Sequence, residues 1–300
     1  MNRSLISVVL GSYNRYDFLK LTIDSVRKEL VDIPHEIIVV DGGSTDGVVN
    51  WLIKQKDIIT ILQHNRGIWR GKSIEKRSWG YFMNLGFRAS NSKYVCMISD
   101  DCLLLPGAIK NGLKLFEEQL NNNQKIGAVA FYAREWNKET NYCVRYTVGK
   151  KLYVNHGIYL KQALCDVNFI NEDDYFFYNA DSDLCLKMWQ LGYKIIDSKE
   201  SFVEHYPHAN IKIRSQNHEK YLQDAEVFLK NWKDVFYDGT KESLGFASYI
   251  KHEDVFRTGD KYKNLYLKNY LTNPGLFIPE VKRIIKRFIN FCLFLVLNLF

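Results

Sequence analysis

The stretch Tyr94–Pro106, YVCMISDDCLLLP, changes abruptly from apolar to acidic and back to apolar. Its first part, Tyr94–Ile98, is mostly apolar with two β-branched residues, a composition that predicts a buried strand. Asp100 and Asp101 come just after this strand, where adjacent carboxylates repel each other and lose hydration unless a cation or hydrogen-bond donors compensate. Two interpretations are open: a site for magnesium or manganese, which prefer oxygen ligands, or a solvated turn whose aspartate caps the next helix.

Strands and helices alternate in the first part of the chain. Apolar runs at Leu5–Leu10, Glu36–Val40 and Ile58–Gln63 predict strands, and the second has almost no alternation, as in a parallel strand covered on both faces. Between the first two runs, apolar residues recur at helical spacing over Leu19–Leu30, and a short helix is predicted at Val48–Lys56. This order is typical of an α/β fold with a doubly wound, mostly parallel sheet and right-handed crossovers.

Acidic side chains follow two of these strands. Asp41 comes directly after the second strand, as Asp100 and Asp101 come after the strand of the opening stretch. Ligands of such sheets bind beyond the carboxyl ends of the strands, so neighbouring strands would bring these carboxylates to one edge. That arrangement predicts a metal or nucleotide site. The alternative for the segment Asp41–Gly47, DGGSTDG, is a tight turn that uses glycine at positive φ.

Composition indicates a folded protein with a sizeable core, since 46% of the 300 residues are hydrophobic and 25% are charged. The net charge of +7 is compatible with nucleotide diphosphates or acidic lipid headgroups, and equally with a solvated surface. The six cysteines form no CxxC pair, which indicates neither a zinc site nor a disulfide framework and fits reduced thiols in the cytosol. No signal peptide is predicted.

Gly67–Ser73 has three residues between its glycines where a phosphate-binding loop needs four, which argues against an NTPase.

A second acidic cluster lies further along the chain. Asp181 and Asp183 open a predicted helix, where acidic residues are ordinary N-terminal chemistry. The aromatic run Tyr175–Tyr178 precedes them, and as a pocket wall it would raise the pKa of Asp181 toward that of a general base. His205 follows another short predicted strand, Lys194–Asp197, and is either a hydrogen-bonded structural residue or, in a metal site, a ligand.

The last residues suggest a membrane interface. An apolar stripe in Val281–Phe288 is opposed by Lys and Arg, and residues from Phe291 to Phe300 are nearly all apolar. This run is shorter than the ~20 residues that span a bilayer, so we expect interfacial attachment rather than a transmembrane helix. The alternative is a helix docked on the domain or on another subunit. We therefore predict three parts: an α/β domain at 1–210, a helical or irregular extension at 211–280 and a membrane-interface tail at 281–300.

Five motifs, taken in order, resemble those of the family-2 glycosyltransferases, which have the GT-A fold. The motifs are SVVLGSYNR at Ser7–Arg15, IIVVDGGSTDG at Ile37–Gly47, NLG at Asn84–Gly86, SDDCLLLP at Ser99–Pro106 and ADSDLCLKMWQLGYK at Ala180–Lys194. Together they extend over about two-thirds of the chain. The resemblance implies a GT-A domain with a Rossmann-like, mostly parallel central sheet flanked by helices, followed by a C-terminal helical extension.

The resemblance also implies nucleotide and metal contacts. Tyr13 and Asp41 would contact the base or ribose of a nucleotide-sugar donor, with a UDP-sugar as the first candidate. Asp100 and Asp101 match the second and third positions of the family's Asp-x-Asp motif. Asp100 would contribute to nucleotide binding, and Asp101 would bind a divalent metal, Mn²⁺ or Mg²⁺, on the diphosphate. Ser99 departs from the motif, since its first position is usually Asp.

The resemblance assigns two further roles. Asp181 matches the general base of the family's Glu-Asp motif, although Ala180 stands where the glutamate usually precedes it. His205 matches a downstream histidine that reaches the metal or the diphosphate in related folds.

The resulting hypothesis is an inverting sugar transfer to a hydroxyl of a glycan or lipid-linked acceptor in bacterial surface-polysaccharide synthesis. The enzyme would be cytoplasmic, peripheral on the inner face of the cell membrane, and without a nucleic-acid partner. One rival is a catalytically weak or inactive nucleotide-sugar-binding protein on the same fold. The other is a nucleotidyltransferase.

Overall fold

The parallel strands predicted from the sequence form the centre of a large sheet in this computed structural model. The structure describes residues 4–65, 67–136, 139–206, 218–240, 247–250, 263–265, 267–268 and 271. The chain divides into two units, Met1–Phe256 and Arg257–Phe300, and the elements below belong to the first. Both predicted domain boundaries, after 210 and after 280, fall outside the described residues and stay predictions.

The elements are numbered in chain order. The strands are β1 Ile6–Ser12, β2 His35–Asp41, β3 Ile58–Leu62, β4 Ile68–Trp69, β5 Lys72–Ser73, β6 Tyr94–Met97, β7 Cys102–Leu104, β8 Ile126–Glu135, β9 Tyr142–Thr147, β10 Lys151–Tyr153, β11 Gly157–Leu160, β12 Lys194–His205 and β13 Ala247–Ile250. The helices are α1 Tyr16–Glu29, α2 Val48–Leu52, α3 Trp79–Ala89, α4 Ala108–Asn121, α5 Lys161–Asp166, α6 Ala180–Gln190 and α7 Tyr221–Trp232, with a 3₁₀ turn at Val148–Lys150.

The main sheet has a parallel half and a mixed half. Its order is β10-β9-β8-β11-β6-β1-β2-β3, with β12 beside β7 and β8, and β13 beside β9. Strand β1 pairs in parallel with β2 and β6, and β2 pairs in parallel with β3. Strand β11 is antiparallel to both β6 and β8. The predicted α/β fold is therefore confirmed, and its parallel core is extended by antiparallel strands.

The register of the parallel strands aligns their carboxyl ends. Ser12, the last residue of β1, pairs with Asp41, the last residue of β2. On the other side of β1, strand β6 ends at Met97, which pairs with Gly157 at the start of antiparallel β11. The loops after β1, β2 and β6 and the loop before β11 therefore meet at one edge of the sheet.

Helices cover both faces of the sheet. In β1, Val8 and Leu10 pack in the cluster that includes α1 and α4, whereas Val9 packs in the cluster that includes α3 and α6. Helix α3 approaches β1 closely, because a Cβ at Gly86 would lie 2.4 Å from Cγ1 of Val9. The nearly continuous apolar character of the predicted strands is thus explained by burial on two sides.

A short antiparallel pairing follows the two aspartates. Strand β7 pairs with the end of β12, and this register sets His205 opposite Cys102. The backbone N–H of Tyr206 donates to the carbonyl oxygen of Asp101 at 2.9 Å. This pairing brings residues about one hundred positions apart to the same edge.

Helix α7 lies in the region 211–280, for which the sequence predicts a helical or irregular extension. The tail at 281–300 lies outside the described residues. Among the described residues, no helix is long and apolar enough to cross a membrane.

Candidate active site

An arginine lies between the two adjacent aspartates. Nη1 of Arg15 is 2.7 Å from Oδ1 of Asp100 and 2.8 Å from Oδ2 of Asp101. Both carboxylates are buried, with 3% and 2% of their residue surfaces exposed. The sequence predicted that a cation or donors must compensate this pair, and Arg15 supplies a positive charge directly.

The surroundings shift the pKa values of the two carboxyl groups in opposite directions. Burial raises the pKa of Asp100 to about 6, with the charge of Asp101 adding to the shift and Arg15 opposing it. Burial also acts to raise the pKa of Asp101, but the charge of Arg15 and the nearby His205 outweigh it and hold that pKa below its usual range. Asp101 is therefore the more strongly anionic member of the pair.

Each aspartate keeps one oxygen that Arg15 does not contact. Oδ2 of Asp100 and Oδ1 of Asp101 are buried and make no hydrogen bond within the described part of the chain. Nε2 of His205 lies 3.4 Å from that Oδ1 of Asp101. Carboxylate oxygen and imidazole nitrogen suit Mn²⁺, and carboxylate oxygen suits Mg²⁺, so these residues fit the divalent metal that the sequence predicted.

Two further side chains of types that can bind a metal lie beside His205. Ligand atoms of Cys102, His156 and His205 all lie within 4.8 Å of one another. The His156 and His205 rings are 5.1 Å apart, and burial, together with His205, lowers the pKa of His156 to about 3. His156 is therefore neutral at physiological pH. The spacing of the cysteines did not indicate this cluster, because its members come from three separate segments.

Asp181 is the first acidic residue of α6. Its Oδ1 accepts the backbone N–H of Ser182 at 2.8 Å, and its Oδ2 accepts Nδ2 of Asn155 at 3.1 Å. Burial raises its pKa, against the stabilising effect of these donors. A raised pKa is the direction that general-base chemistry requires. The preceding residue, Ala180, is fully buried in the apolar cluster.

The loop between β10 and β11 connects the two acidic groups. Asn155 donates to Asp181, while the next residue, His156, lies beside Cys102 and His205. Two consecutive residues of this loop therefore contact Asp181 on one side and the cluster of Cys102 and His205 on the other. No sequence motif singled out Asn155 or His156.

Asp41 organises the loop that follows β2. Its Oδ1 accepts the backbone N–H groups of Gly43 and Ser44 at 2.9 and 2.7 Å, and its Oδ2 accepts the Ser44 hydroxyl at 2.6 Å. Gly43 has φ of +88°, and a Cβ there would lie 2.4 Å from Nδ1 of His64. The tight-turn interpretation is therefore correct for this loop. The contact of Asp41 with a nucleotide stays a prediction.

Tyr13 lies beside the same loop. A Cβ at Gly42 would lie 3.2 Å from Cδ2 of the Tyr13 ring, so the small residue leaves room for the aromatic side chain. The backbone N–H of Asn14 donates to Oγ of Ser44 at 2.8 Å and joins the loops after β1 and β2. The Tyr13 ring therefore lies beside Gly42, the residue after Asp41, and nucleotide binding by Tyr13 stays a prediction.

Comparison with known proteins identifies the family of this chain. The model of "Glycosyl transferase family 2" matches residues 7–176, and the chain belongs to this family. No curated protein matches the chain by sequence.

Solved structures support the fold. Crystal structures of Staphylococcus aureus TarS 1–349 are 14% identical to this chain. The first alignment covers 77% of this chain and 72% of that chain, with a TM-score of 0.51. The alignment with the UDP-GlcNAc complex covers 76% of this chain and 72% of that chain, with a TM-score of 0.52. The mannosyltransferase PcManGT from Pyrobaculum calidifontis, in complex with GDP-Man and Mn²⁺, is 18% identical, covering 75% of this chain and 65% of that chain with a TM-score of 0.52. The predicted GT-A fold is confirmed.

Replacing Arg15 by glutamine is expected to destabilise the metal-free protein by about 2–4 kcal/mol at pH 7, because two buried carboxylates lose their cation. Mn²⁺ should raise the melting temperature of this variant more than that of the wild type, since it restores positive charge at the same place. Denaturant titration and thermal melts with and without Mn²⁺ measure both effects.

Arg27→Gln is the matched control, because Arg27 forms an ion pair at a more exposed site. Its Nε lies 2.7 Å from Oδ2 of Asp57. Its loss should cost no more than about 1 kcal/mol. Equal stability of the two variants would contradict the assignment of Arg15.

Proposed function

We propose that the chain is an inverting, metal-dependent glycosyltransferase that moves a sugar from a nucleotide-diphosphate donor to an acceptor hydroxyl. The observation that carries this proposal is a row of side-chain contacts between the paired aspartates and Asp181. Asp101 and His205 lie 3.4 Å apart, and Asn155 and His156 link them to Asp181, the proposed base.

The side chains divide the chemistry between them. The acceptor oxygen attacks the anomeric carbon while the bond between that carbon and the diphosphate oxygen breaks, and the departing nucleoside diphosphate takes the electron pair. Asp181 receives the acceptor proton on its carboxylate, and its raised pKa favours that transfer. Attack opposite the leaving group inverts the configuration of the anomeric carbon.

The paired-aspartate turn would serve the leaving group. Asp101 and His205 would hold the divalent metal, and Asp100 would help to bind the nucleotide. When bound, the metal supplies positive charge that stabilises the negative charge developing on the diphosphate. Arg15 pairs with both carboxylates and opposes the rise in the pKa of Asp100 that burial causes.

Donor and acceptor are proposed at a coarser level. Solved structures of the same fold are complexes with UDP, UDP-GlcNAc and GDP-Man, which supports a nucleotide-sugar donor, with UDP-sugars first. The basic, apolar tail at 281–300 would hold the enzyme on the inner face of the membrane, where it would meet a lipid-linked or glycan acceptor of surface-polysaccharide synthesis.

A donor screen tests the proposal. Purified protein with Mn²⁺ and each of a panel of UDP- and GDP-sugars should release the nucleoside diphosphate from at least one donor, and EDTA should abolish the release. Release of pyrophosphate would identify a nucleotidyltransferase instead. Calorimetric binding of a nucleoside diphosphate without turnover of any donor, with or without added glycan acceptors, would favour a non-catalytic binding protein.

A further inference from the structure

Helix α7 holds the loop that leads to the proposed base. The carboxylate of Asp224, on the first turn of α7, is 1% exposed. It accepts three consecutive backbone N–H groups: Phe176 on Oδ1 at 2.9 Å, and Phe177 and Tyr178 on Oδ2 at 2.9 and 2.7 Å. Successive N–H groups that converge in this way form an anion-binding concavity, which is occupied here by a side chain of the same chain.

Both ends of α7 make further contacts near Asp181, one with α6 and one with the loop 176–178. Near the end of α7, Nε1 of Trp232 donates to Oδ1 of Asp183 at 3.0 Å, and the hydroxyl of Tyr175 donates to the same oxygen at 3.1 Å. At the start of α7, the rings of Tyr221 and Tyr178 meet edge to face with centroids 5.2 Å apart. These attachments flank Asp181 on both sides in sequence.

We propose that Asp224 is a positioning residue for sugar transfer, which fixes the loop 176–178 and through it the carboxylate of Asp181. The inference rests on the proposed function, in which Asp181 is the base. It extends the functional part of the chain to α7, which lies beyond the residues matched by the family model.

The short backbone segment between the loop 176–178 and Asp181 explains why the hydrogen bonds of Asp224 matter for the position of the base. Only Asn179 and Ala180 separate Tyr178 from Asp181, and Asn179 has φ of +62°, a left-handed conformation that is uncommon outside glycine. The amide groups of the loop are oriented by a charged acceptor, which forms stronger hydrogen bonds than a neutral one. Without it, the chain entering α6 can reorient, and small misplacements of a catalytic group reduce rates strongly.

The test compares Asp224→Asn with Glu226→Gln, a substitution at an exposed position of the same helix. In Asp224→Asn the side-chain NH₂ replaces an acceptor that faces N–H donors. We expect kcat for transfer to fall about 10- to 100-fold, with KM for the donor changed less than about twofold. The amides of residues 176–178 should exchange hydrogen at least about tenfold faster, while those of β1 and β2 keep their rates.

Two results would overturn the proposal. One is a kcat within twofold of Glu226→Gln together with unchanged exchange at 176–178. The other is a parallel loss of donor affinity and kcat that follows the unfolded fraction, which is the behaviour of a merely structural residue. If Asp224→Asn does not fold, Trp232→Phe removes the hydrogen bond from α7 to Asp183 in the first turn of α6, and the same kinetic and exchange criteria apply to it.

The exchange measurement separates this inference from the proposed function. Absence of turnover by the wild-type protein with every donor would remove the proposed function. In that case, faster amide hydrogen exchange at 176–178 in Asp224→Asn would still support the inference that Asp224 fixes this loop. Unchanged exchange would overturn that inference.

Discussion

Asp181→Asn is expected to lower kcat for sugar transfer by about 10³-fold, with binding of the nucleoside diphosphate changed less than about twofold. The amide has almost the same shape as the carboxylate and still accepts the N–H of Ser182, and Asn155 can turn its amide to meet the new NH₂ group. It cannot take a proton from an acceptor hydroxyl. Initial-rate kinetics with saturating acceptor, and calorimetry with UDP and Mn²⁺, measure the two quantities.

The matched control is Asp173→Asn, at an exposed position of the segment before α6. It should keep the wild-type rate. The acid limb of the wild-type pH–rate profile should lie above the ordinary carboxyl pKa of about 3.9, because burial raises the pKa of Asp181 and the base must be ionised to act. Turnover by Asp181→Asn within tenfold of the wild type would remove Asp181 as the base.

Asp101→Asn is expected to have the second large effect. It replaces the more anionic member of the pair, whose free Oδ1 lies 3.4 Å from Nε2 of His205. Mn²⁺-dependent binding of UDP should weaken by at least about 100-fold, more than the 10- to 100-fold typical of residues that only orient a ligand. Calorimetric titration of UDP at fixed Mn²⁺, with a second series in EDTA, isolates the metal-dependent part.

The surface variant Asp57→Asn serves as the control for Asp101→Asn, because its carboxylate pairs with Arg27 away from the site. The control should bind UDP as the wild type does. If Asp101→Asn kept the Mn²⁺ dependence of UDP binding, the metal would have to bind elsewhere.

Local patterns in the sequence predicted the elements of the sheet well. The apolar runs of β1, β2 and β6 indicated strands, the run of β2 indicated a strand covered on both faces, and the acidic residues after β2 and β6 indicated the binding edge. These signals are local, since a buried parallel strand and the polar residue that ends it are adjacent in the chain. The positions of Asp41, Asp100 and Asp101 could therefore be inferred before the structure was known.

Contacts between distant segments could not be predicted in this way. Arg15 bridges to residues 85 and 86 positions away, and a single arginine after a turn is most often solvated. His156 reaches the site only because β11 runs antiparallel beside β6, a pairing that apolar periodicity does not specify. Asp224 occurs on an amphipathic helix as an ordinary polar residue, and only the fold shows that it is buried against three amides.

The most direct test of the account is a crystal structure of the chain with Mn²⁺ and a non-hydrolysable UDP-sugar, with the metal located by its anomalous signal. We expect the metal to lie on Asp101 and His205 and the anomeric carbon to face the carboxylate of Asp181. A metal bound away from Asp101, or a sugar on the far side of the sheet from Asp181, would contradict it.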